Sequence, residues 1–129
     1  MDPGRAGERA AMPRGVRVLV VEDVAVLAWR VRDVLRHAGA EVVGPAPDVP
    51  GALALLAGHD VDAAVLDMNL NGEPADPIAD VLAARGVPFV FLTGYGSGSA
   101  EGRHAGRPTL GKPLKPHILI QALAGFGTG

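Results

Sequence analysis

Four short apolar runs punctuate the chain, each stopped by a turn signal or a polar residue: "VRVLVV" (16–21), "EVVG" (41–44), "AAVL" (63–66) and "FVFL" (89–92). A weaker fifth run is "PTLG" (108–111). They are rich in β-branched or aromatic residues and too short for buried helices, so they are expected to be strands. Their near-continuous apolarity suits a parallel sheet covered on both faces, because a sheet with one wet face alternates polar and apolar positions.

Helical stripes fill the gaps between these runs. Over 24–38, Val24, Leu27, Val31, Val34, Leu35 and Ala38 share one face, and Gly39 follows as a stop. Residues 49–58 and 76–85 read alike, closed near Gly58 and Gly86, and Pro116 opens a last helix over 116–125. Strict alternation of strand and helix implies an α/β three-layer sandwich with right-handed crossovers. Residues 94–107, "GYGSGSAEGRHAGR", break the rhythm. Each of their glycines costs a helix about 1 kcal/mol relative to alanine. A fourth helix here is expected to be short or disordered. Residues 1–14 lack periodicity and read as a mobile leader, leaving one domain over 15–127.

Composition removes several function classes. The absence of cysteine excludes thiolate metal sites, and a net charge of −2 offers no footprint for nucleic acid. No apolar run reaches the length of a membrane span, and the first residues lack a signal-peptide core, so a cytoplasmic protein is expected.

Ligands of open α/β sheets bind beyond the carboxyl ends of the strands. At those ends stand Glu22 and Asp23, then Asp67, then Thr93, then Lys112 followed by Pro113. Three carboxylates in one cleft repel unless a proton or a cation intervenes. Oxygen ligands without sulfur select a hard ion, and Mg²⁺ keeps waters and accepts phosphoryl oxygens. A nucleophilic aspartate beside Mg²⁺, with a lysine and a hydroxyl for the remaining oxygens, is a phosphoryl-transfer set. Its product would be an aspartyl phosphate.

The set "VVED", "VLDMNL", "FLTG" and "GKP" resembles the receiver domain of two-component response regulators, over essentially all of the chain after the leader. The resemblance implies a flavodoxin-like five-stranded parallel sheet of order 2-1-3-4-5 and a cis bond between Lys112 and Pro113. It also implies that Asp67 is the phospho-acceptor and Asp23 a direct Mg²⁺ ligand. Glu22 would act on the metal through water, and Asn69 through its backbone carbonyl. Thr93 and Lys112 would hold the phosphoryl group. The partners implied are a sensor histidine kinase or a histidine phosphotransfer protein, with a possible downstream protein target. Neither nucleic acid nor a membrane is expected as a partner. The chain would be no enzyme beyond its own phosphorylation and dephosphorylation.

Two departures stand out. Three residues before the lysine, where most receivers carry Tyr or Phe, this chain has Thr109. "PFVFLTGYG" resembles a subclass with a Phe-Ala-Thr-Gly signature, Leu92 replacing the alanine, that also lacks the aromatic. Readout is therefore expected through a change of order in 94–107, with Tyr95 repacking. Two alternatives remain: a haloacid-dehalogenase-like phosphohydrolase, and a pseudo-receiver that binds partners without phosphorylation. The phosphohydrolase needs a general acid two residues after the nucleophile, where Asn69 stands. The four histidines, 37, 59, 104 and 117, lack ligand spacing and are expected at the surface. Trp29 is expected on the outer face of the first helix, where it would serve as a docking anchor.

Overall fold

The computed structural model describes residues 15–94, 104 and 106–126, together with the backbone of Gly98 and Ser99. The leader, Tyr95 and much of the glycine-rich stretch lie outside the described residues. In chain order the elements are β1 (Arg17–Val21), α1 (Ala25–His37), β2 (Glu41–Ala46), α2 (Val49–Gly58) and β3 (Ala63–Asp67). There follow β4 (Asn69–Leu70), β5 (Glu73–Pro74), α3 (Asp76–Ala84), β6 (Phe89–Thr93), β7 (Gly98–Ser99), β8 (Pro108–Gly111) and α4 (Pro116–Phe126).

The main sheet runs β2-β1-β3-β6-β8-β7, and all its pairs are parallel except β7 with β8. Its parallel part is the expected 2-1-3-4-5 order of a flavodoxin-like receiver fold. Alternate strand residues feed two apolar cores, one on each side. Leu19, Leu66, Phe89 and Phe91 pack with α2 and α3, while Val18, Val20, Val65 and Val90 pack with α1 and α4. Such two-sided burial is why the strands read as unbroken apolar runs.

Several local expectations shift. On α1 the buried residues are Ala28, Val31 and Leu35, whereas Val24 at the N-cap is 46% exposed. Trp29 is exposed, as its position opposite the stripe requires. β2 runs on to Ala46 past a cis Gly44–Pro45 bond; the Lys112–Pro113 bond is also cis. Between β6 and β8 the described residues hold no α-helix, and Gly98–Ser99 pairs antiparallel with Pro108–Thr109 instead. His37, His59 and His117 are exposed, but His104 is buried, contrary to expectation.

Gly44 has φ +99°, and a Cβ there would stand 2.9 Å from the Ala46 backbone nitrogen and 3.0 Å from the Val20 carbonyl oxygen. Gly44→Ala should therefore cost at least about 1–3 kcal/mol in urea unfolding. Gly58→Ala, where a Cβ meets nothing within 4 Å, should be neutral or stabilising. Equal effects of the two substitutions would contradict this reading.

Candidate functional site

Register brings the strand ends together. Val21 pairs with Leu66, Asp67 with Leu92, and Thr93 with Gly111, so Glu22, Asp67, Thr93 and Lys112 emerge at one edge of the sheet. Backbone bonds lock this edge beyond the ladders. The Met68 N–H donates to the Leu92 carbonyl at 2.9 Å, and the Lys112 N–H to the Thr93 carbonyl at 2.8 Å. The edge lines an open cleft of about 520 Å³ that includes Asp23, Asp67, Asn69, Gly94 and Lys112.

Lys112 organises the charge. Its Nζ lies 3.0 Å from Glu22 Oε1 and 3.3 Å from Asp67 Oδ2. The Asp67 contact is a hydrogen bond. The contact with Glu22 compensates charge without hydrogen-bond alignment, so Oε1 is buried with no hydrogen-bond partner. The other Glu22 oxygen accepts from the Val24 N–H at 3.2 Å. Neither Glu22 nor Asp23 caps the first turn of α1, because Val24 occupies the N-cap.

Asp67 is 4% exposed, and its Oδ1 accepts the Asn69 N–H at 3.2 Å. The Asn69 side chain holds the hairpin of β4 and β5: its Oδ1 accepts the Gly72 N–H at 2.7 Å. Asn71 (φ 55°) and Gly72 (φ 93°) form the turn, the left-handed pair that a two-residue hairpin loop requires. This hairpin was not foreseen, although its Asn-Gly pair was visible in the sequence.

Three carboxylates, from Glu22, Asp23 and Asp67, offer oxygens within 4.8 Å of one another. Burial and the neighbouring Asp67 push the Glu22 carboxyl up to about 7, against the pull of Lys112. Burial also acts upward on Asp23, but hydrogen bonds with Asp67 and Glu22 outweigh it and hold Asp23 below its ordinary value. Lys112 goes up: the two carboxylates more than offset its desolvation. The donor set fits a hard divalent cation. It is all oxygen, partly buried, and carries three carboxylates against the single ammonium of Lys112.

No protein-family model matches the chain. Over 118 residues it is 32% identical to the transcriptional regulatory protein PdtaR of Mycobacterium tuberculosis, covering 88% of this chain and 57% of that protein. The chain thus spans little more than half the length of the curated relatives it matches. It is 40% identical to the solution structure of SdrG from Sphingomonas melonis Fr1, with a TM-score of 0.76, covering 89% of this chain and 98% of that one. The receiver domain of the Erythrobacter litoralis PhyR response regulator shares its fold at 22% identity and a TM-score of 0.78, with 89% of this chain and 92% of that one covered.

A raised acid binds its proton more tightly in the folded chain, so its contribution to stability is complete below the ordinary value of 4.5 and is lost as pH rises through about 7. In chelator, urea unfolding should show stability falling by up to about 3 kcal/mol between pH 4.5 and 7.5 from this group. Glu22→Gln should flatten that slope. An unchanged slope in the variant would contradict the assignment.

Proposed function

Because the chain belongs to the receiver domains of response regulators, we propose that it is a phospho-accepting signalling domain and that Asp67 takes the phosphoryl group. The observation that carries this reading is Lys112, whose ammonium touches both Glu22 and Asp67 where the strands end. The donor is a histidine kinase, a histidine phosphotransfer protein or a small acyl phosphate. A carboxylate oxygen of Asp67 attacks phosphorus as the bond to the donor's nitrogen or oxygen breaks, and the leaving atom keeps the electron pair. Lys112 turns from the carboxylates to a phosphoryl oxygen, and the Thr93 hydroxyl meets another.

Mg²⁺ would be held by Asp23 and Asp67, by Glu22 through water and by the Asn69 carbonyl. When bound it neutralises negative charge on the transferring oxygens. The hydrogen bond that Asn69 Oδ1 accepts from the Gly72 N–H supports this role, since it fixes the loop from which that carbonyl is presented. The same bond speaks against the phosphohydrolase, because the position of its general acid is an amide engaged in a turn. The complete set of acids, lysine and threonine likewise favours phosphorylation over a binding-only pseudo-receiver. "FVFLTG" and the buried Thr109 favour the subclass without a switch aromatic.

No helix of the described residues is long and apolar enough to cross a membrane. A downstream protein target is part of the proposal. The Bartonella quintana PhyR, similar in fold at 20% identity, is described as an anti-anti-sigma factor.

Acetyl phosphate with Mg²⁺ should label Asp67, with labelling lost in Asp67→Asn and in chelator. Undiminished labelling of that variant would sink the assignment. Trp29 is 55% exposed, near Val26 at 69%, on the outer face of α1. As a docking anchor, Trp29→Ala should slow transfer from the cognate kinase about tenfold, the cost of about 1.4 kcal/mol, and leave acetyl phosphate labelling unchanged. Equal slowing with both donors would count against docking.

A further inference from the structure

The tip of the β4–β5 hairpin carries a chemistry of its own. Asn69 pairs with Pro74 and Leu70 with Glu73, so Asn71 and Gly72 are the two-residue loop between them. Both are exposed, and both line the open cleft together with Asp23, Asp67 and Lys112.

An asparagine followed by glycine is open to attack by the main chain, one reason asparagine is a thermolabile residue. A solvent base takes the Gly72 amide proton, and the nitrogen attacks the carbonyl carbon of the Asn71 side chain. Ammonia leaves with the electron pair of the broken C–N bond and a proton from solvent. Water then opens the five-membered imide to aspartate or isoaspartate. The net change is amide plus water to carboxylate plus ammonium. A side chain on the following residue crowds this approach, but a Cβ on Gly72 would meet nothing within 4 Å, so the space around it is open. Asn69, the other asparagine of the chain, precedes Leu70, a buried and branched residue.

One bond opposes the reaction. The Gly72 N–H donates to Asn69 Oδ1 at 2.7 Å. The proton that must leave is held there, on an amide oxygen that accepts hydrogen bonds but is too weak a base to remove it. We propose that Asn71–Gly72 is a self-modifying site guarded by the Asn69 side chain, and that its product is a fourth carboxylate at the mouth of the cleft. Three carboxylates already offer oxygens within 4.8 Å of one another there, and one more repels an anionic phosphoryl donor. That consequence rests on the phospho-acceptor reading; the modification does not.

Incubation in mildly alkaline buffer, followed by peptide mass spectrometry, reads the replacement of an amide NH2 by OH, and heavy-oxygen water marks the new carboxylate. The folded chain should convert at Asn71, and more slowly than the chain unfolded in urea. Asn69→Ala should convert about fivefold faster than the unsubstituted folded chain, the factor that a neutral hydrogen bond carries. Asn69→Asp, which still accepts from Gly72, should stay slow. For the consequence, Asn71→Asp supplies the charge of the product. Asn71→Gly keeps the left-handed turn, φ 55° at this position, without a side chain. Acetyl phosphate with Mg²⁺ should label Asn71→Asp about threefold more slowly than Asn71→Gly, or slower still. Conversion confined to Asn69 or Gln121, or none in urea, overturns the site. Folded conversion as fast as in urea, or Asn69→Ala no faster than the unsubstituted chain, overturns the guard. So does Asn69→Ala matching the rate in urea, which reports loss of the fold instead. Equal labelling of Asn71→Asp and Asn71→Gly overturns the effect on the cleft. No labelling of the unsubstituted chain overturns the phospho-acceptor reading and leaves the modification standing.

Discussion

The ammonium of Lys112 between two buried carboxylates is the contact on which the candidate site depends. Glu22 is 1% exposed and Asp67 4% exposed, and two ionised carboxylates so placed repel strongly in a medium that screens poorly. Lys112 only partly offsets the burial and the neighbouring Asp67 that push the Glu22 carboxyl up to about 7. The site is therefore short of positive charge. Such a shortage suits a cation, and the proposed phosphoryl chemistry draws on the same imbalance.

The sheet makes this frustrated arrangement affordable. Strand residues below the cleft are almost all buried and apolar, on both faces, in two continuous cores. Burial of that extent supplies the stability against which a few kcal/mol of carboxylate repulsion is small. Parallel register then delivers one polar residue per strand to the same edge, with no long loop needed to gather them. Backbone bonds from Met68 to Leu92 and from Lys112 to Thr93 hold the edge rigid. The hairpin closed by Asn69 and Gly72 does the same for the loop after Asp67.

Most of the fold was legible because apolar runs and helical stripes are local signals. The convergence of Glu22, Asp23, Asp67 and Lys112 was legible because strand order and the position of the strand ends follow from the same alternation. What escaped depends on contacts distant in sequence. His104 read as a surface histidine, and only its proximity to Asp80, 24 positions earlier, and to two phenylalanines of β6 buries it. The helical stripe of α1 included Val24, but the chain enters the helix there and leaves that side chain exposed, while Ala28 is buried in its stead. Glycines in 94–107 argued against a stable helix, and the described residues there hold no α-helix. They gave no hint that Gly98 and Ser99 extend the sheet, because a two-residue antiparallel pairing leaves almost no periodicity to detect.

The central claim is that the carboxylate cluster holds a proton which a divalent cation displaces. Calorimetric titration of Mg²⁺ at pH 7, in two buffers of different ionisation enthalpy, measures that exchange directly. Because burial and the neighbouring Asp67 push the Glu22 carboxyl up to about 7, binding should release protons at this pH, since a cation in the cleft favours the ionised form of every carboxylate around it. The release should vanish in Glu22→Gln. Binding with no buffer dependence, or no binding at millimolar Mg²⁺, would contradict the account.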